Sequence, residues 1–217
     1  MIKDICYNIF RMKLTYAICV CTEARELNDL LSFLKRVKDE EDEINILLDA
    51  SKVTDEVRNV LKRYNGLTVS ERAFCGNFSD HRNYHASLCT GDYIFVIDAD
   101  EMPRETLIKN IKQIIIDTSA ELLYIPRINI CPGYTQKWLD KHSFKVNEVG
   151  WINWPDYQGR VYKNNGIVKW SKGLHETISG AKNTKGLDAA PDMSLWHIKS
   201  VEKQEYQDIF YKSLPSS

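Results

Sequence analysis

The stretch Tyr93-Ile94-Phe95-Val96-Ile97-Asp98-Ala99-Asp100-Glu101 decides the fold class of this chain, because an apolar run changes abruptly into acids. A continuous apolar run of this length is typical of a strand that is buried on both faces, as in a parallel sheet covered by helices. The acids then follow the carboxyl end of the strand, which is the edge where open α/β sheets bind ligands. The sequence therefore predicts an α/β protein with a ligand site at this edge.

The spacing of the acids indicates a metal site. In extended backbone, side chains two residues apart point to the same side, so Asp98 and Asp100 could share one cation. Carboxylates suit a hard ion such as Mg²⁺ or Mn²⁺, and an ion held by two of them keeps positions open for the oxygens of a substrate diphosphate. The alternative is that both acids only cap a helix beginning near Pro103.

Composition limits the classes of protein to consider. The 217 residues are 43% hydrophobic, which predicts one sizeable globular domain, and 29 basic against 30 acidic side chains give no electrostatic footprint for nucleic acid. There is no secretory signal, no apolar stretch long enough for a transmembrane segment, and no cysteine spacing typical of metal sites. We therefore expect reduced thiols in a cytoplasmic protein. The six cysteines are Cys6, Cys19, Cys21, Cys75, Cys89 and Cys131.

Strand and helix patterns alternate from Leu14 onward, after a weakly patterned extension over 1–13. The alternation over 14–125 predicts a mainly parallel sheet flanked by helices, whereas 126–200 holds all five tryptophans and shows only short, irregular runs. We expect one domain over 14–217, ending in a helix over 201–217, and further domains beyond this chain. The predicted strands cover Leu14–Cys21, Ile44–Leu48, Leu67–Ser70, Tyr93–Ile97 and Leu122–Ile125, and the acidic run Asp39–Glu43 is predicted to be a solvated loop.

Several motifs together resemble family-2 glycosyltransferases of GT-A fold, in particular their lipopolysaccharide-type branch. They are Cys21-Thr22-Glu23-Ala24-Arg25, Asn77-Phe78-Ser79-Asp80-His81-Arg82-Asn83, Asp98-Ala99-Asp100-Glu101, Trp154-Pro155-Asp156-Tyr157-Gln158-Gly159-Arg160, Leu174-His175-Glu176 and Trp196-His197. More narrowly, the chain resembles the N-terminal glycosyltransferase domain of a chlorovirus multidomain enzyme. The resemblance implies a nucleotide-sugar half over 14–125 and an acceptor-side half over 126–200.

The resemblance also implies roles for individual residues. It implies that a sugar passes from a UDP-sugar to an acceptor hydroxyl with inversion, and that Mn²⁺ or Mg²⁺ stabilises the leaving diphosphate. The donor-side residues would be Thr22, Glu23, Arg25, Asp49, Arg82 and Asp98, and the metal ligands would be Asp98, Asp100 and His197. Each of three residues could instead have a purely structural role: Asp49 as a turn residue, Arg82 as a surface arginine and His197 as a core histidine.

An inverting displacement needs a base, and two carboxylates compete for that role. Glu176 lies at about the point where the family places its catalytic acid, and Asp156 lies among aromatic residues that could stack on a sugar. Glu176 is slightly favoured. Either acid could instead be structural, since a Glu beside a His can simply orient it and Pro-Asp is common in turns.

Two other functions compete with a glycosyltransferase. A nucleotidyltransferase would need a Gly-rich loop after the first strand, and 21–26 contains no glycine. A catalytically idle carbohydrate-binding domain would not need Asp98, Asp100 and Glu176 together. If the chlorovirus resemblance holds, the donor would carry a hexose or a deoxyhexose such as rhamnose, the acceptor would be a glycan of a viral capsid protein, and the site of action would be the host cytoplasm.

Overall fold

The computed structural model describes residues 12–213, and strands and helices alternate within them from Leu14 onward. The strands are β1 Leu14–Val20, β2 Glu43–Asp49, β3 Thr68–Arg72, β4 Tyr93–Val96, β5 Glu101–Pro103, β6 Leu122–Ile130, β7 Ile152–Lys163, β8 Lys169–Ser171, β9 Thr177–Ser179, β10 Thr184–Gly186 and β11 Leu195–Ile198. The helices are α1 Ala24–Val37, α2 Asp55–Leu61, α3 Phe78–Ser87, α4 Glu105–Thr118, α5 Gln136–His142 and α6 Val201–Ser213, with a 3-10 turn at Pro191–Met193. The predicted extension lies outside the described residues as far as residue 11.

Within residues 12–213, nine strands form one sheet in the order β3-β2-β1-β4-β7-β6-β11-β5, with β10 pairing to β6. The strands β1 to β4 are mutually parallel where they pair, and β11 runs parallel to β6. Strand β7 is antiparallel to both of its neighbours, β4 and β6, and so joins the two halves of the chain in one sheet. The predicted α/β class with a mainly parallel sheet is confirmed.

Helix α1 illustrates how the sequence pattern produces the layers. Its apolar residues recur three and four positions apart, so they form one stripe that packs against the sheet. The side chains of that stripe, Leu27, Leu30, Leu31 and Leu34, are fully buried in the same cluster as the apolar residues of β1 and β2. Burial of each leucine contributes about 1.5 to 3 kcal/mol, which fixes the helix over the sheet and leaves the strand ends free.

The acid-rich segment differs from the expectation of extended backbone. Strand β4 ends at Val96, although the Ile97 amide still donates to the Ala17 carbonyl of β1. The chain then turns, with the Glu101 amide donating to the Asp98 carbonyl (2.8 Å), and enters β5, which contains Pro103. The helix expected near Pro103 begins at Glu105, because β5 first pairs with β11.

Two other expectations also need correction. The second half contains the longest strands, β6 and β7, because their pairing extends through Pro126 and past a β-bulge near Tyr124. The acidic run is not wholly solvated: Asp42 is buried, accepts a hydrogen bond from the Leu14 amide and pairs with Lys112. The described cysteines are free thiols, as expected. None of the helices within residues 12–213 is both long and apolar enough to cross a membrane.

Candidate active site

A cavity of about 800 Å³ lies at the carboxyl ends of β1, β2 and β4 and extends over β6, β7 and β11. It lies where an open α/β sheet is expected to bind ligands. The cavity brings together eight of the ten predicted site residues, namely Glu23, Asp49, Arg82, Asp98, Asp100, Asp156, Glu176 and His197. Thr22 and Arg25 do not line it and are exposed.

A chain of alternating charges crosses the floor of this cavity. It links the two candidate bases through six consecutive ion pairs, in the order Glu176, Arg82, Asp98, Arg160, Glu101, Arg127 and Asp156. Each of the three guanidiniums contacts two carboxylates, so every charged group in the chain has at least one neighbour of opposite sign. Partly buried pairs of this kind require several good hydrogen bonds, because desolvation of the charges opposes them. The network therefore favours a rigid arrangement of the carboxylates.

Asp98 is at the centre of the network. Its Oδ1 accepts a hydrogen bond from Arg82 Nη2 (3.0 Å), and its Oδ2 accepts one from Arg160 Nη2 (2.7 Å). Although burial opposes ionisation, Arg160 and Arg82 hold the pKa of Asp98 well below its usual range. Both oxygens of Asp98 are thus engaged by arginines, which differs from the expectation that Asp98 and Asp100 point together at one ion.

Sequence reasoning missed Glu101, Arg127 and Arg160 as site residues. Glu101 is 1% exposed, and its carboxylate pairs with both arginines while its Oε2 accepts from the Asp98 amide (3.1 Å). Glu101 and Arg160 belong to the motifs that carried the family resemblance, which was a signal that they could be functional. Arg127 carried no such signal, because its partners lie 26 and 29 residues away in sequence.

Asp100 and His197 form a second pair in the cavity. Asp100 Oδ2 lies 3.5 Å from His197 Nε2 and 3.4 Å from the Lys203 ammonium. His197 Nδ1 contacts Asn129 Oδ1 at 2.9 Å. Although burial raises the pKa of Asp100, its contact with His197 and the charge of Lys203 bring the pKa well below the usual range. An ionised carboxylate beside an imidazole nitrogen is a suitable pair of ligands for a divalent ion.

The two candidate bases differ in their environments. Asp156 Oδ2 accepts hydrogen bonds from Arg127 Nη2 (2.7 Å) and Asn129 Nδ2 (2.8 Å), and Oδ1 accepts one from Gln158 (2.7 Å). Burial opposes ionisation of Asp156, but Arg127 and the two amides lower its pKa. Glu176 Oε1 accepts a hydrogen bond from Arg82 Nε (2.8 Å). Within residues 12–213 only this contact engages the Glu176 carboxylate.

Two predicted donor-side residues near β1 and β2, Glu23 and Asp49, accept hydrogen bonds from backbone amides of the chain. Glu23 Oε2 accepts hydrogen bonds from the amides of Cys21 (3.1 Å) and Thr22 (2.9 Å). Asp49 Oδ1 accepts from the amides of Ser51 and Phe74, both at 3.0 Å. Burial raises the pKa of Asp49, but a hydrogen bond from the Ser51 hydroxyl and those from the two amides lower it overall. Asp49 therefore joins the end of β2 to the segment after β3, as the turn-residue alternative expects, while it still lines the cavity.

Helix α6 brings aromatic residues to the same end of the cavity, which sequence reasoning did not foresee. The Phe210 ring lies 6.4 Å from Phe74, and the Tyr211 ring lies 5.8 Å from Phe78. The Lys52 ammonium lies 3.8 Å from the centre of the Phe210 ring. These rings line the cavity beside Asp49. Nothing in the local sequence pattern could indicate that residues so far apart would meet.

Comparisons with known proteins agree with this geometry. Among solved structures, the chain is similar to that of S. aureus TarS 1-349 (16% identity, TM-score 0.61, covering 86% of this chain and 60% of that one). It is also similar to the complex of the same protein with UDP-GlcNAc (15% identity, TM-score 0.59, covering 87% of this chain and 59% of that one). The complex with UDP is similar as well (14% identity, TM-score 0.62, covering 90% of this chain and 63% of that one). The TM-scores show a shared fold, and the chain spans about three fifths of those structures.

A search of curated proteins found no significant match. The model of the family described as glycosyl transferase family 2 matches residues 15–204, which include the sheet apart from Leu14 and the cavity apart from its α6 residues Gln207, Phe210 and Tyr211. The match extends over most of the chain and contains the strand ends, the chain of ion pairs and the Asp100–His197 pair. The chain therefore belongs to glycosyl transferase family 2.

Proposed function

We propose that this chain is a metal-dependent, inverting glycosyltransferase that moves a sugar from a UDP-sugar to a hydroxyl of a glycan. The observation that carries the proposal is the cavity at the carboxyl edge of the sheet, in which carboxylates and arginines alternate beside an Asp–His pair. Family membership supports glycosyl transfer. The TarS structures in complex with UDP-GlcNAc and with UDP support a uridine diphosphate donor.

The nucleotide would occupy the end of the cavity between β2 and α6. Asp49 and the rings of Phe74 and Phe210 line this end, so a planar base could stack there and donate to a carboxylate oxygen. Arg82 lines the adjoining part, and within the described residues its Nη1 has no hydrogen-bond partner. A phosphate oxygen would satisfy that group by a charge-assisted hydrogen bond. Asp98 would then act mainly by holding Arg82 and Arg160 in place.

Asp100 and His197, two of the three metal ligands predicted from sequence, fit a divalent ion, whereas the oxygens of Asp98, the third, accept hydrogen bonds from arginines. Asp100 and His197 are both partly buried, and their ligand atoms are 3.5 Å apart. No cluster of three or more His, Cys, Asp or Glu side chains suited to a metal occurs within residues 12–213, so substrate oxygens and water would complete the coordination. When bound, Mn²⁺ or Mg²⁺ supplies a Lewis acid for the developing charge on the leaving diphosphate. Lys203 must leave Asp100 for the ion to bind.

Glu176 is the proposed base. A base needs an accessible oxygen that can accept the proton of the acceptor hydroxyl. Arg82 engages one oxygen of Glu176, whereas Asp156 receives hydrogen bonds on both oxygens and its lowered pKa weakens it as a proton acceptor. Asp156 would instead hold Arg127 and help to shape the acceptor side of the cavity.

Release of UDP from a panel of UDP-sugars tests the proposal. Purified protein with Mn²⁺ should release UDP from at least one UDP-hexose or UDP-deoxyhexose, and Asp100→Asn should reduce the rate by about 10²-fold or more. Asp192→Asn, which changes an exposed acid of the 3-10 turn (72% exposed side chain), is the matched control and should retain the wild-type rate. Absence of UDP release from every donor, with glycan acceptors present, would contradict the proposal.

The chlorovirus resemblance supports finer proposals. The donor sugar would be a hexose or a deoxyhexose such as rhamnose, the acceptor would be a glycan of a viral capsid protein, and transfer would take place in the host cytoplasm. A product with the anomeric configuration of the donor inverted, identified by NMR of the glycosylated acceptor, would support the single-displacement mechanism. A retained configuration would argue against Glu176 as a base of that mechanism.

A further inference from the structure

Asn129 connects the two sides of the cavity. It lies on β6, where its register partners are His197 on β11 and Ile152 on β7. Its side-chain amide contacts Asp156 Oδ2 through Nδ2 (2.8 Å) and His197 Nδ1 through Oδ1 (2.9 Å). One amide therefore lies between a carboxylate of the acceptor side and a proposed metal ligand.

The carboxylate determines which way the amide points. Arg127 donates two hydrogen bonds to Asp156 Oδ2, from Nε (3.0 Å) and Nη2 (2.7 Å), which keeps the carboxylate ionised. An ionised carboxylate can only accept hydrogen bonds, so the NH₂ group of Asn129 must face Asp156. The amide oxygen is then left to face His197. The reversed orientation would place two oxygens about 3 Å apart with no hydrogen between them.

The amide orientation determines the tautomer of His197 in turn. An amide oxygen only accepts, so at 2.9 Å the proton must be on His197 Nδ1. In the neutral ring Nε2 then carries the lone pair, and this nitrogen lies 3.5 Å from Asp100 Oδ2. A lone pair and a carboxylate oxygen that face each other at this distance repel, so the geometry favours either a second proton on Nε2 or a bound cation between them. The same ring in the other tautomer could not offer Nε2 to a metal.

We propose that Asn129 is a positioning residue that fixes His197 as the Nδ1–H tautomer, so that Nε2 and Asp100 together can bind a divalent cation. The inference rests on the proposed function, because it needs the cation. Outer hydrogen bonds of this type orient metal-binding imidazoles and contribute about 10- to 100-fold to metal affinity. The same amide also donates to Asp156. A movement of Asp156 on the acceptor side of the cavity would therefore shift the amide oxygen that accepts from His197.

Nitrogen NMR of the five histidines tests the tautomer directly. In ¹⁵N-labelled full-length protein without added cation, at about pH 8.5, well above the range where ordinary histidines titrate, the His197 signals should show a protonated Nδ1 and an unprotonated Nε2. The spectrum of His197→Gln assigns the signals. Addition of Mg²⁺ should shift Nε2 more than Nδ1. A proton on Nε2 of the neutral wild-type ring would overturn the inference.

Three variants separate the role of Asn129 from general damage to the site. Asn129→Leu removes both hydrogen bonds and should weaken Mn²⁺ binding, measured by electron paramagnetic resonance, by about 10- to 100-fold. The exchange variant Asn129→Asp/Asp156→Asn keeps an acceptor for Nδ1–H without bringing two carboxylates together, and should bind Mn²⁺ within about threefold of wild type. Gln158→Leu, the matched control, removes another hydrogen bond to Asp156 without contacting His197 and should bind Mn²⁺ as wild type does.

The outcomes distinguish the inference from the proposed function. Equal Mn²⁺ affinity of Asn129→Leu and wild type would overturn the inference and leave metal-dependent transfer intact. Failure of wild type to bind Mn²⁺ or Mg²⁺, together with cation-independent release of UDP, would overturn both the inference and the metal part of the proposed function. Asn129→Leu could lose its fold, but the tautomer measured in wild type would still decide the first step.

Discussion

At the scale of single residues, catalysis depends on which carboxylate can still accept a proton. Six ion pairs join Glu176 to Asp156, yet they leave the two acids in different states. Arg82 engages one oxygen of Glu176, whereas Asp156 receives hydrogen bonds from Arg127, Asn129 and Gln158. Replacing the carboxylate by an amide should therefore affect the kinetics differently at Glu176 and at Asp156.

We expect Glu176→Gln to lower kcat by about 10²- to 10⁴-fold while donor binding is kept, because a base acts in the transition state. Asp156→Asn should mainly raise KM for the acceptor, because it loosens Arg127 without removing the base. Steady-state kinetics on both variants, with donor affinity from titration, check this expectation. Near-normal turnover of Glu176→Gln together with a collapse of kcat in Asp156→Asn would move the base to Asp156.

At the scale of elements, helix α6 is held over the cavity by polar contacts and by the half-buried rings of Phe210 and Tyr211. None of its described residues is buried, and it follows β11 after only two residues. Lys203 of this helix forms an ion pair with Asp100 in the cavity. In the middle of the helix, Asp208 contacts His142 Nε2 at 2.9 Å. Helices with few buried contacts open at low free-energy cost. The helix is therefore the element that can most readily move when ligands enter.

Lys203→Met should tighten Mn²⁺ binding in the absence of nucleotide by about 3- to 10-fold, because the ammonium and the divalent ion compete for Asp100. Hydrogen exchange of the α6 amides should also become faster in this variant. Lys212→Met, a change of the same kind on an exposed lysine of the same helix, is the matched control and should alter neither quantity. Weaker Mn²⁺ binding by Lys203→Met would instead indicate that Lys203 supports the cation site.

The elements of the first half could be predicted because their signals are local. Apolar runs predicted β1, β2 and β4, and spacing of three and four residues predicted α1 and α4. The length of β6 and β7 could not be predicted, since it depends on pairing between segments about 30 residues apart. For the same reason Asp98 and Asp100 were identified as site residues, but their different partners depend on Arg160, His197 and other residues distant in sequence.

At the scale of the whole molecule, a buried ion pair joins α4 to the start of the sheet. Lys112 Nζ lies 2.8 Å from Asp42 Oδ1, their side chains are 7% and 1% exposed, and Asp42 also accepts a hydrogen bond from the Leu14 amide (2.9 Å). Loss of one partner leaves the other charge buried without compensation, which costs far more than loss of an exposed pair. This contact lies at the amino end of β2 and does not line the cavity, so it tests stability apart from the proposed catalysis.

Lys112→Met should lower the free energy of unfolding by about 3 to 5 kcal/mol, measured by urea denaturation. The double variant Lys112→Met/Asp42→Asn should recover a substantial part of that loss, because it removes both charges. Lys109→Met, on the exposed side of the same helix, should change the stability by less than about 1 kcal/mol. A loss of less than 1 kcal/mol in Lys112→Met would show that the pair contributes little to the fold.

Titration calorimetry of UDP, with Mn²⁺ and again in excess EDTA, tests the central claim most directly. A diphosphate facing Asp98 and Asp100, which both line the cavity, needs a cation to offset repulsion between like charges. We predict that UDP binds at least about tenfold more tightly with Mn²⁺, and that Asp100→Asn removes this difference whereas Asp192→Asn keeps it. The same UDP affinity in Mn²⁺ and in EDTA for the wild-type protein would contradict the account.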